Sequence, residues 1–135
     1  MLQCTVKLGF SAAKRLMNYQ GKCQQLHGYY HLVEFTFTTT SSADMVADFY
    51  ELKKSLATWL DNTLDHTAIL NEKDSALGDA IHSITKQRIY YVPFDPTSEN
   101  LALHLKNEIV PSIIPEPKCI KVRIYDTPDC WVEAI

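Results

Sequence analysis

The chain has 135 residues, 46% of them apolar, and a formal net charge of −3. Such a length and apolar content suit one domain, residues 1–135, with a real core, and scattered Lys and Arg in a mildly acidic chain argue against nucleic acid as a partner. No apolar run approaches the roughly 20 residues that a membrane span needs, the alternating start MLQCTVKLGF argues against a signal peptide, and Cys4, Cys23, Cys119 and Cys130, lacking short paired spacings, fit a reducing cytoplasm better than a disulfide framework.

Residues 3–10 alternate, with Cys4, Val6, Leu8 and Phe10 on one side and Gln3, Thr5 and Lys7 on the other. A period of two predicts a half-buried strand. Residues 11–27 are polar, contain Gly21, and read as a loop. YYHLVEFTFTTT, from Tyr29, is aromatic and β-branched, and with Gly28 predicts a long second strand over 28–39.

After Asp48 the period changes. Phe49, Leu52, Leu56, Trp59 and Leu60 recur at helical spacing, with Asp48 as N-cap. Residues 67–95 are less regular, with a short strand at RIYYV. A second helix is predicted from Thr97 or Ser98, where Glu99 suits the positive end of the helix dipole; Leu101, Leu105 and Ile109 share a face and Pro111 ends it. Ile120, Val122 and Ile124 alternate with Lys121 and Arg123 over residues 118–125, and WVEAI forms a last strand. The order ββααββ predicts an α+β fold, a four-stranded antiparallel sheet with both helices on one face. Its open edges favour association with further copies.

Five separated segments together resemble the 6-pyruvoyl- and 6-carboxytetrahydropterin synthases: FSAAKRL at 10–16, GKCQQLHGYYH at 21–31, DMVADFYELK at 44–53, LDHTAILN at 64–71 and PTSENLA at 96–102. The match is collinear and spans nearly the whole chain. The resemblance implies a tunnelling fold, a homohexamer of two trimers with a pterin site between subunits, and lyase chemistry on the C6 side chain of dihydroneopterin or its triphosphate, as in biopterin or queuosine biosynthesis. It places Cys23 at the position of the family's catalytic cysteine, where a thiolate removes a proton beside a carbonyl or imine. Asp65 and His66 match the family's proton-relaying pair. Asp126 and Thr127 stand where the family has a Glu-Thr pair that grips the amino-pyrimidine edge, with one methylene fewer on the acid. Thr97, Ser98 and Glu99 match the segment lining the pterin pocket, and they equally suit a helix cap.

One departure separates this chain from that family. The positions of the three zinc-binding histidines hold Lys14, His27 and Tyr29, so a single histidine remains where a catalytic zinc needs three protein ligands. His31 lies on the same strand face as a candidate for a shifted site, without an evident third ligand. Hence no metal or other cofactor is expected. Two readings follow. In one, Lys14 supplies the positive charge and Tyr29 the hydrogen bond that zinc would otherwise give a developing oxyanion; dihydroneopterin aldolase offers an analogy of chemistry, using Lys and Tyr on a pterin side chain without metal. In the other, the chain is a non-catalytic pterin- or purine-binding paralogue.

Overall fold

The computed structural model describes residues 1–40 and 44–135. Ten elements follow one another: β1 (Gln3–Lys14), β2 (His27–Thr38), α1 (Phe49–Thr63), β3 (Thr67–Asn71), α2 (Ser75–Thr85), β4 (Ile89–Val92), α3 (Ser98–His104), α4 (Val110–Ile113), β5 (Lys118–Thr127) and β6 (Cys130–Ala134). Short 3-10 turns precede β2 and α2, and a π-helical stretch, Leu105–Ile109, joins α3 to α4. No helix among the described residues is long and apolar enough to cross a membrane.

The α+β class stands, but the expected four-stranded antiparallel sheet is a six-stranded mixed sheet of order β4-β3-β1-β2-β5-β6. Strands β1, β2, β5 and β6 pair antiparallel. The parallel strands β3 and β4 extend the sheet beyond β1. Helix α2, which the sequence reading left irregular, forms the crossover between them, as parallel neighbours require. Its signal was weak because it buries only Gly78, while Ile84 points to solvent.

Helices α1 and α3 contribute to a common core with the sheet. Leu52, Leu56 and Leu60 of α1 and Leu101 of α3 pack with Val6 and Phe10 of β1, Val33, Phe35 and Phe37 of β2, and Val122 and Ile124 of β5. Burying each such side chain stabilises the fold by about 1.5–3 kcal/mol. The Asp48 carboxylate caps α1 by accepting from the Tyr50 amide at 2.8 Å. Phe49, expected on the buried face, is exposed: it is the first residue of the helix, and the buried stripe begins one turn later at Leu52. Ala68 and Leu70 of β3 are fully buried yet stand outside this core. Their register partners are Ile89 and Tyr91, and the Tyr91 ring packs on Gly78 of α2. A side chain at position 78 would collide with that ring, so glycine permits the approach. Thus α2 covers the opposite face of β3, and the expectation of two helices on one face holds only for α1 and α3.

Three further differences from the expected elements have local causes. Strand β1 does not stop at Phe10 but keeps its alternation through Ala12 to Lys14, both buried. The charged Lys14 at an inward position hid that continuation. Pro111 does not end the last helix, which runs to Ile113. Proline lacks a donor and crowds the carbonyl four residues back, and the wider π-helical turn before it accommodates both effects. In β5 a register shift opposite Thr36 and Phe37 turns Cys119 rather than Ile120 fully inward, the usual consequence of a β-bulge.

Candidate active site

The antiparallel β1–β2 pair sets the site. Lys14 lies opposite His27, Ala12 opposite Tyr29, and Phe10 opposite His31. Alternation sends Phe10, Ala12 and Lys14 of β1 and His27, Tyr29 and His31 of β2 to the same face. Lys14 is only 4% exposed and His31 fully buried. The Tyr29 ring lies 4.2 Å from that of His31 and 6.0 Å from that of His27, so the three rings form a row along the strand. Phe10 stacks on the far side of His31 at 4.9 Å.

At the open end of this row a cavity of about 270 Å³ is lined by Lys14, Cys23, His27, Tyr29, Thr97, Ser98, Glu99 and Asp126. Leu16, Cys130, Trp131 and Val132 complete the wall. Eight of the sequence-predicted site residues therefore meet in one place. The four wall residues were not foreseen: Cys130, Trp131 and Val132 reach the cavity only through the pairing of β6 with β5, which leaves no motif.

A hydrogen-bond cluster floors the cavity. The Tyr29 hydroxyl donates to Asp126 Oδ1 at 2.7 Å and the Ser98 hydroxyl donates to the same oxygen at 2.8 Å. Lys14 Nζ donates to Ser98 Oγ at a long 3.4 Å and stands 4.0 Å from Asp126 Oδ1. Burial pushes the Lys14 ammonium below its ordinary pKa, and the charges of Asp126, Cys23 and Glu99 only partly offset it. Burial, and then the bond to Asp126, push the Tyr29 phenol up, so it remains a neutral donor. Burial raises the Asp126 carboxyl, but the bonds from Tyr29 and Ser98 outweigh it and hold the group below the usual carboxylate range. His31 is pushed down to about 3 by burial and then by Lys14, and neither of its ring nitrogens has a hydrogen-bond partner among the described residues. Thr97 both lines the cavity and caps α3, accepting from the Asn100 amide at 3.1 Å.

Asp65, His66 and Thr127 lie elsewhere. Asp65 Oδ1 accepts from the Ser11 amide at 2.9 Å, and its other oxygen pairs with His66 Nδ1 at 2.7 Å. These bonds, to the Ser11 amide first, hold the Asp65 carboxyl below its ordinary value. His66 adopts a left-handed backbone, φ 60°, uncommon for a residue with a side chain. The turn is fixed by the Arg88 guanidinium donating to the Asp65 carbonyl at 2.9 Å and by Gln87 donating to the His66 carbonyl at 3.3 Å. His66 lines a second pocket with Ser11, Ala13, Gly28 and Tyr30, residues of the opposite sheet face, although Ala12 and Tyr29 also border it. Thr127 lines a third, adjoining the first cavity through their shared Tyr29, Asp126 and Trp131, and its hydroxyl accepts from the Asp129 amide.

The residues at the family's zinc positions do not fit a zinc ion. As an ammonium Lys14 has no lone pair to give, and as a free amine it would add only one ligand to His27, while the Tyr29 phenol is held neutral and already donates to Asp126. His31 cannot join His27, because the Tyr29 ring stands between them and the two residues are about 13 Å apart along the strand. One imidazole remains where three ligands are needed.

Comparison with known proteins agrees with this architecture. The family model for 6-pyruvoyl tetrahydropterin synthase matches residues 3–135. The chain is 39% identical over 137 aligned positions to a 6-carboxy-5,6,7,8-tetrahydropterin synthase of Rickettsia bellii, covering 98% of this chain and 99% of that one. Among solved structures, an uncharacterised Wolinella succinogenes protein superposes with a TM-score of 0.79 at 20% identity, covering 98% and 97% of the two chains. The Caenorhabditis elegans 6-pyruvoyl tetrahydropterin synthase superposes with a TM-score of 0.69 at 24% identity, covering 98% and 94%. A family match over almost every residue, carried by near-full-length identity and the same fold, means that this chain belongs to the 6-pyruvoyl tetrahydropterin synthase family.

Proposed function

We propose that this chain is a metal-independent pterin lyase that acts on the C6 side chain of dihydroneopterin or its triphosphate, with Lys14 and Tyr29 in the place of zinc. The observation that carries the proposal is the Lys14–Ser98–Asp126–Tyr29 cluster on the wall of a cavity that also presents Cys23. Related chains are named for a 6-carboxytetrahydropterin product, which makes dihydroneopterin triphosphate the first substrate to test.

In this reading the second oxygen of Asp126 accepts from the amino-pyrimidine edge while its first holds Tyr29 and Ser98 in place. Lys14 puts positive charge, or a proton, beside the side-chain oxygen. Tyr29 donates to the same oxygen once it exchanges its bond to Asp126 for one to substrate. Cys23 is the base that takes the proton from the neighbouring carbon. The Asp65–His66 relay opens on the other sheet face, so it serves the pterin site of a second copy in a homo-oligomer.

The test is turnover of dihydroneopterin triphosphate before and after treatment with a chelator. The expected result is activity that survives chelation and falls in Lys14→Ala and Tyr29→Phe. Activity abolished by chelation and restored by zinc would overturn the metal-free mechanism. Binding of the pterin without turnover in either form would replace it with the non-catalytic paralogue.

A further inference from the structure

We infer that Lys14 is an amine nucleophile, and that its cavity captures an aldehyde or ketone as an imine on Nζ. An ammonium carries three N–H groups. Lys14 Nζ meets one hydroxyl at 3.4 Å and one carboxylate oxygen at 4.0 Å, although the residue is only 4% exposed. That carboxylate oxygen already accepts from Tyr29 and Ser98 at 2.7 and 2.8 Å. A lysine kept for a structural ion pair would be expected to close directly on its partner, as Arg15 does on Asp74 at 2.6 and 2.8 Å. The Tyr29 ring, with its centroid 5.3 Å from Nζ, favours the charged form. It offsets a small part of what burial removes, and Nζ is left as a poorly solvated, weakly partnered amine.

Once it gives up its proton, which burial favours, this nitrogen has a lone pair to use, one that zinc-family chemistry does not call for and that this cavity is equipped to exploit. Desolvated lysines act as imine-forming nucleophiles by this route. Attack of the Nζ lone pair on a carbonyl carbon forms one C–N bond as the C=O π bond opens, and the oxygen takes one amine proton relayed through the Ser98 or Tyr29 hydroxyl and then the second, by the same route, as its C–O bond breaks. Loss of that oxygen as water leaves a C=N bond, so amine and carbonyl become imine and water with no change of oxidation state. Protonated on nitrogen, the imine withdraws electrons from the adjacent carbon. A proton on that carbon then becomes acidic, and Cys23 is the base on the same wall. The fitting substrate is a planar heterocycle bearing a short side chain with a carbonyl, or one that forms a carbonyl by tautomerisation.

This rests on reading the cavity as the reaction site, but the experiment does not need a pterin. The native protein is incubated with glycolaldehyde and cyanoborohydride, and modified lysines are located by peptide mapping. The expected result is a reduced adduct at Lys14 formed about tenfold or more faster than at exposed Lys53 and Lys54, as a larger neutral fraction at Nζ requires. The Lys14→Met protein, checked by circular dichroism for native structure, should lack that adduct and keep those at Lys53 and Lys54. A Lys14 that stays unmodified while the surface lysines react would overturn the inference. So would labelling of Lys14 at the same rate in urea-unfolded protein. The two readings fail separately: metal-free pterin turnover with no Lys14 adduct overturns the imine alone, whereas a fast Lys14 adduct without pterin turnover supports the imine and overturns the pterin substrate.

Discussion

Replacing Lys14 with methionine should make the fold more stable while removing its chemistry. The side chain is almost fully buried, and even after relaxation and water penetration a buried ammonium costs several kcal/mol. The return comes from Asp126 at 4.0 Å, about 4 kcal/mol at an effective dielectric constant of about 20. The Asp126 side chain is 53% exposed, so solvent screening reduces that attraction substantially. The 3.4 Å contact to Ser98 is too long to add much. Methionine has similar length and asks nothing of its surroundings, so Lys14→Met is expected to stabilise by about 1–3 kcal/mol near neutral pH.

The gain has a pH signature. Burial lowers the lysine's pKa in the folded state, so between the folded and unfolded values the unfolded chain binds more protons. Wild-type stability then rises with pH across that interval, and the variant lacks the rise. The advantage of Lys14→Met should be largest near pH 7 and shrink toward about pH 10. Urea unfolding followed by circular dichroism, at one protein concentration and at both pH values, measures it. A variant less stable than wild type near pH 7, or an advantage that does not shrink with pH, would refute the view of Lys14 as weakly compensated.

Three other outcomes follow from the same geometry. Asp126→Asn removes the charge that Tyr29, Ser98 and Lys14 surround, and pterin binding by calorimetry should weaken by about 1.5–3 kcal/mol, roughly 10- to 150-fold. The Asp65 carboxyl is held below its ordinary value, so its contribution to stability is present above the unfolded pKa and lost as pH falls through the folded one. Asp65→Asn should therefore flatten part of the stability loss on the acid side, seen in melts between about pH 5 and pH 2. Sheet edges at β4 and β6, and an Asp65–His66 pair on the face opposite Cys23, call for a homo-oligomer, expected as a hexamer; light scattering should give a mass several times 15.4 kDa, and a stable monomer at micromolar concentration would contradict it.

Much was legible in the sequence by itself, because its signals are local. Alternation marks Val6 through Phe10 and Val122 through Ile124, the helical spacing marks Leu52, Leu56 and Leu60, and Asp48 and Thr97 announce their caps. The collinear segments gave the family, and the replacement of two histidines by Lys14 and Tyr29 needs no coordinates to be seen. Other features depend on partners remote in the chain. Helix α2 buries almost nothing of its own face, so its place becomes plain only where Tyr91 rests on Gly78. Strand β1 continues to Lys14 because β2 and β3 pair with it there, against the polarity of the side chain. Tertiary structure alone decided that Asp126 lies within reach of Lys14, 112 positions away, and that Ser98 and Tyr29 spend their protons on the same carboxylate oxygen. Residue types fix what a group can do, but whether a lysine sits solvated and inert or desolvated and reactive is set by how many partners the fold brings to it and how much water it takes away.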